Sequence, residues 1–148
     1  MAIAACRAGA RGFLDLEYEV ECPAVSKALE QLERFAADGY GVKLGPDGGA
    51  LLPALLAEEK GPVAFVHIDC DIYESTRVVF ELLSPRIAPG AVIVFDEYFN
   101  YPGWQQHEFR AFQDFIARER RRYEYIGFSA ERGHVAVRML AARGPTPP

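Results

Sequence analysis

What the chain has little of narrows its function before any motif is read. Its three cysteines, Cys6, Cys22 and Cys70, are scattered and lack the spacing of a zinc site or a disulfide framework, so a reducing, cytoplasmic setting is expected. No apolar run approaches the roughly 18 residues of a membrane span. The start MAIAACRAGARG has no extended apolar stretch behind a basic one, so no export leader is expected. Positive charge is scarce as well: 16 basic against 21 acidic residues give a formal net charge of −5, which argues against nucleic-acid or anionic-membrane partners. The cluster Arg118, Arg120, Arg121 and Arg122 is the exception, and reads as a solvated helix end. Internal repeats are missing, and the only low-complexity stretch is the GPTPP tail, for which disorder is expected over 141–148.

What is present is apolar: half of the 148 residues are hydrophobic, enough for one domain with a sizeable core. Residues 1–50 form a segment without an assigned role, holding an exposed or edge strand at GFLDLEYEV (12–20) and an amphipathic helix over 23–39. In that helix Val25, Ala28, Leu29, Leu32, Phe35 and Ala36 recur at helical spacing. Next come a turn and a short helix with Pro53 near its start. From residue 51 to 140 the pattern is regular. VAFVHI (63–68) and AVIVF (91–95) are continuous apolar runs, as expected of parallel strands covered on both faces, and His67 reads as a packed core residue. Between them lies a helix with Val78, Val79, Leu82 and Leu83 on one stripe, long enough for a right-handed crossover. A second helix, burying Phe109, Phe112 and Ile116, leads to RYEYIGFS and GHVAVRML, an antiparallel hairpin with Val135, Val137 and Met139 on one face. The expected fold class is α/β.

Each parallel run ends in acids: Asp69 and Asp71 after the first, Asp96 and Glu97 after the second. Open α/β sheets bind ligands beyond the carboxyl ends of their strands. If the two runs are neighbours, Asp69, Asp96 and Glu97 converge within reach of a hard divalent cation, at about 2.0 to 2.6 Å per oxygen. Without a cation the carboxylates would repel one another. The competing roles are helix and turn caps, and Asp71 is assigned to that role.

FVHIDCDIYESTR, LLSPRIAPGAVIVFDEYFNYPGW and the terminal YEYIGF…HVAVRM resemble the macrocin O-methyltransferase family, class I enzymes that use S-adenosylmethionine (SAM) to methylate sugar hydroxyls. The resemblance runs from Leu51 to Leu140. It implies the C-terminal portion of a Rossmann-like class I methyltransferase sheet, with Mg²⁺ on Asp69, Asp96 and Glu97 and SAM beside Asp69 and Tyr73. It also implies a small-molecule hydroxyl acceptor. Asp69 serves as ligand and general base, with His107 as the other candidate base, and Tyr98, Tyr101 and Trp104 wall the acceptor pocket. Class I enzymes hold the donor on a glycine-rich turn after their first strand. ADGYGVKLGPDGG is the one glycine-rich candidate, and it reads as a loop. The chain is therefore expected to resemble the C-terminal half of such an enzyme, with low activity alone. A homodimer or a partner chain is expected to cover its exposed strand edge. Two other readings stay open: a metal-dependent glycosyltransferase-like protein using the DxD of DCD, and a non-catalytic methyltransferase remnant.

Overall fold

The computed structural model describes residues 13–16, 27, 30, 31, 34, 41–44 and 48–141. The chain divides into two compact units, Met1–Lys60 and Gly61–Pro148.

In the first unit, β1 (Phe13–Leu16) pairs in parallel with β2 (Gly41–Leu44), in the register Phe13 with Gly41 through Leu16 with Leu44. The second strand corrects the reading of the glycine-rich segment as loop. Its four residues are too few to show a period against flanking glycines. Lys27, Glu30, Gln31 and Arg34 are helical and exposed, and their spacing is that of the polar face of the expected helix. That helix's apolar residues lie outside the described residues, as do 17–20 and the 142–148 tail. Helix α1 spans Gly48–Glu58 and carries Pro53 in its interior, not near its start. Pro53 therefore removes one ladder hydrogen bond, while Leu51, Leu52 and Leu55 are buried.

In the second unit, β3 (Val63–Ile68), α2 (Tyr73–Leu83) and β4 (Ile87–Phe95) form a strand–helix–strand crossover with the two strands parallel. A single 3₁₀ turn (Trp104–Gln106) precedes α3 (Glu108–Arg118), and β5 (Arg122–Ser129) and β6 (His134–Leu140) close the chain as an antiparallel hairpin. The sheet order is β3-β4-β6-β5, with β6 antiparallel to β4. This is the expected α/β class, parallel strands with a terminal antiparallel hairpin. Among the described residues no helix is long and apolar enough to cross a membrane.

Helices α2 and α3 pack on each other, and the core beside them is aromatic. Phe80 stacks on Phe115 with centroids 4.6 Å apart, and Phe95 meets Phe112 edge-on at 5.1 Å. Such pairs add about 0.5–1.5 kcal/mol each beyond the area they bury. The buried stripe of α2 is Thr76, Phe80 and Leu83, with Val78, Val79 and Leu82 half-buried at its margins. On α3 it is Glu108, Ala111, Phe112 and Phe115, with Phe109 and Ile116 half-buried. Val135, Val137 and Met139 are buried together as expected.

The expected two-face burial of the parallel strands is corrected. In β3, Val66 and Ile68 are buried while Phe65 and His67 are exposed, and in β4 buried Ala91, Ile93 and Phe95 alternate with half-buried Val92 and Val94. An apolar run records that a strand is compatible with burial, and it does not say how much of each face is covered. Pro89 and Gly90 lie inside β4, where the ladder shifts register between Val63 and Phe65 and Gly90 takes φ +87°. Arg121 is no solvated helix end: it donates to the carbonyls of Ile87 (2.7 Å) and Ser84 (3.2 Å), its guanidinium over Phe115.

Candidate functional site

The parallel register pairs Ile68 with Phe95, and the Asp96 amide donates to the Ile68 carbonyl at 3.0 Å. The next residues on each strand, Asp69 and Asp96, therefore leave the sheet side by side. Beyond them the chain turns sharply. Asp71 adopts φ +61°, a left-handed conformation uncommon for a residue with a side chain. Helix α2 then begins at an Ile72 cap that receives no side-chain hydrogen bond. Neither Asp69 nor Asp71 is consequently the cap of that helix, which was the competing role for them.

Asp96 faces the side of the sheet opposite the helices. Its Oδ1 lies 3.2 Å from Nε2 of His134, at the start of β6, and 3.7 Å from Nε2 of His67. His67 is thus no core residue; its side chain is about half exposed, at 49%. Among the described residues, no group of three or more His, Cys, Asp or Glu side chains is arranged to hold a metal ion. The cage expected from Asp69, Asp96 and Glu97 is not assembled: register aligns the first two, and the Asp96 carboxylate is turned to imidazoles. The donor set still fits a hard cation in kind, being carboxylate oxygen at the ends of adjacent strands.

The two acidic loops are joined from beneath by a residue the sequence reading passed over. Glu108 is fully buried, and its Oε1 accepts from the Cys70 amide at 3.2 Å while Oε2 accepts from the Glu97 amide at 3.3 Å. The Asp71 amide also lies near the same carboxylate and favours its charged form. Burial pushes its pKa up from 4.5 to about 7, against the opposing effect of these amides. An available signal was its position: Glu108 stands on the apolar stripe with Ala111, Phe112 and Phe115, where an acid requires a partner. Burial likewise raises the pKa of the free Cys70 thiol, which opposes a thiolate role.

The expected aromatic wall is divided. Tyr101 stays with the acids: burial, with Glu108, Glu97 and Asp71 nearby, raises its pKa, and its ring stacks on His107 with centroids 6.1 Å apart. The Tyr101 hydroxyl and His107 Nδ1 are both buried without a hydrogen-bond partner. Tyr98 and Trp104 instead line a cavity of about 290 Å³ with Phe99, Phe109, Tyr125 and Phe128. The Tyr98 hydroxyl is held by Tyr125 (3.0 Å) and Gln113 (3.1 Å). Tyr73, expected beside the donor, is half-buried and bonded to Asp114 on α3 at 3.0 Å, with Arg110 over its ring.

Comparison with known proteins adds three findings. A family model described as "Methyltransferase domain" matches residues 4–98, extending into the segment that the sequence alone left without a role. A stretch of 38 residues is 42% identical to the 8-demethyl-8-(2,3-dimethoxy-alpha-L-rhamnosyl)-tetracenomycin-C 4'-O-methyltransferase of Streptomyces olivaceus, covering 26% of this chain and 15% of that protein. Two solved structures share the fold. The apo structure of CalS11, a TDP-rhamnose 3'-O-methyltransferase of calicheamicin biosynthesis, matches with TM-score 0.55 and 22% identity over 87% of this chain and 58% of that one. An O-methyltransferase from Bacillus cereus in complex with SAH matches with TM-score 0.51 and 22% identity, over 90% of this chain and 64% of that one. The chain thus spans less than two thirds of the length of each of these proteins.

Proposed function

We propose, from the premise that this chain belongs to the methyltransferase-domain family, that it acts in transferring a methyl group from SAM to a hydroxyl of a sugar or polyol. The observation that carries the reading is the register setting Asp69 beside Asp96 at the carboxyl ends of neighbouring parallel strands, the place where open α/β sheets bind ligands. The acceptor class is supported by the relatives whose names specify rhamnosyl or TDP-rhamnose O-methylation. The donor is supported by the neighbour solved with SAH. The narrower likeness to macrocin O-methyltransferases rests on the sequence motifs alone, and among the described residues no feature of the site favours the glycosyltransferase alternative.

When bound, the donor supplies an electrophilic methyl carbon, and Mg²⁺ held by Asp69, Asp96 and Glu97 would supply Lewis acidity to the acceptor hydroxyl. The chain's own part is to place that hydroxyl in line with the methyl group and to take its proton. Asp69 is the proposed base. His107, with Nδ1 buried and unpartnered, is the second candidate. Tyr101 borders the acids on the acceptor side, Tyr98 and Trp104 line the neighbouring aromatic cavity, and Tyr73 is assigned to the donor side. Quaternary structure is part of the same proposal: β3 lies at the edge of its sheet, and a second copy or a partner chain covers it.

Incubation with labelled SAM, Mg²⁺ and a panel of sugar acceptors tests the activity, and calorimetry tests the cation. Loss of Mg²⁺ binding in Asp96→Asn with little change in Asp71→Asn is the expected result. Equal losses in the two variants, or no uptake of SAM and no transfer, would reject the proposal.

A further inference from the structure

The two loops that carry the acids are far apart in sequence and belong to different strands, yet both end on one buried side chain. The Glu108 carboxylate spends one oxygen on the Cys70 amide and the other on the Glu97 amide. Each of these amides adjoins a carboxylate of the proposed site: Cys70 follows Asp69, and Glu97 follows Asp96. A buried carboxylate is a costly way to satisfy two backbone donors. What distinguishes it from an amide or a hydroxyl is a pair of equivalent acceptors at fixed separation. Helix α3, pinned by the Phe112 and Phe115 packing, provides the rigid mount.

We infer that Glu108 is a positioning residue that sets the spacing between the Asp69 loop and the Asp96–Glu97 loop, so that a divalent cation meets both at once. The inference rests on the proposed function and deepens it. Glu108 touches no reacting atom; its contribution is the separation of two backbone amides. Asp71 belongs to the same device, since its left-handed turn brings a third amide toward the carboxylate.

Glu108→Gln is the informative variant, because it keeps the volume and removes one of the two acceptors. Mn²⁺ serves as the probe of the paired loops, read by electron paramagnetic resonance at pH 8.5, together with amide exchange by NMR. Expected are Mn²⁺ affinity about 10- to 100-fold weaker than wild type, faster exchange at Cys70 or Glu97, and no fall in melting temperature. Unchanged exchange, or an affinity equal to wild type, would overturn the inference. If the wild-type chain itself takes up no Mn²⁺, the cation reading fails, and the exchange data alone decide whether the two loops are clamped. Should the variant not fold, the wild-type chain still gives an answer: the clamp requires Cys70 and Glu97 to share one protection factor, because one opening releases both. Protection factors differing by more than about tenfold would rule it out.

Discussion

Replacing Glu108 by Gln should change the pH dependence of stability more than stability itself. The native carboxyl, raised from 4.5 to about 7, holds a proton that the unfolded chain gives up near 4.5. Across that window the native state binds more protons, so this contribution falls as pH rises from 4.5 through about 7, then levels off. At about 1.4 kcal/mol per pH unit the gap amounts to about 3 kcal/mol, of which roughly 2.5 kcal/mol lies between pH 5 and pH 8.5. Gln cannot ionise and lacks this component, and like the protonated carboxyl it offers one carbonyl acceptor to the two amides. The variant should therefore lie close to the wild type at pH 5 and should match or exceed it at pH 8.5. Urea unfolding of both proteins at the two pH values measures the double difference, in which other titrating groups cancel. Parallel pH profiles would refute the reasoning, since they would mean that Glu108 titrates alike in both states.

Other substitutions probe the scaffold around the site. Gly133→Ala should cost at least about 2 kcal/mol in chemical denaturation: φ +74° alone penalises a side chain by about 1–2 kcal/mol, and the new Cβ would lie 2.2 Å from the Phe99 carbonyl oxygen. Phe80→Ala, at the centre of the aromatic cluster with 1% exposure, should lose about 3–5 kcal/mol. Arg121→Ala strands two carbonyls and should lower stability by about 1–3 kcal/mol, with a melting curve as the check.

Much of the second unit was legible because its elements obey simple periods. The crossover and the hairpin were readable from apolar runs, turn residues and the shared face of Val135, Val137 and Met139. The four acids stand just past the carboxyl ends of the two parallel strands. What escaped the reading depends on layers and on company. His67 was placed in the core because its strand is apolar throughout, yet the sheet face it occupies is open to solvent. Glu108 went unread although it stands on the apolar stripe of α3; the three-dimensional meeting of α3 with both loops shows what it is bonded to there. Tyr98, Tyr101 and Trp104 lie close together in sequence, but the left-handed Asn100 and Gly103 (φ +70° and +80°) interrupt that stretch, and Tyr101 parts from the other two, which share the aromatic cavity.

The sheet of the second unit also separates two kinds of evolutionary constraint. On its covered side Phe95 and Phe112 are fully buried, so replacement there is felt at once in folding. On its other side Asp96 meets His67 and His134 across solvent-exposed surface, where replacement changes chemistry at little cost to folding. Side chains on the open face can therefore vary while packing constrains the covered one. A mutational library confined to positions 67, 134 and 136 should keep most of its members folded while diversifying what they bind.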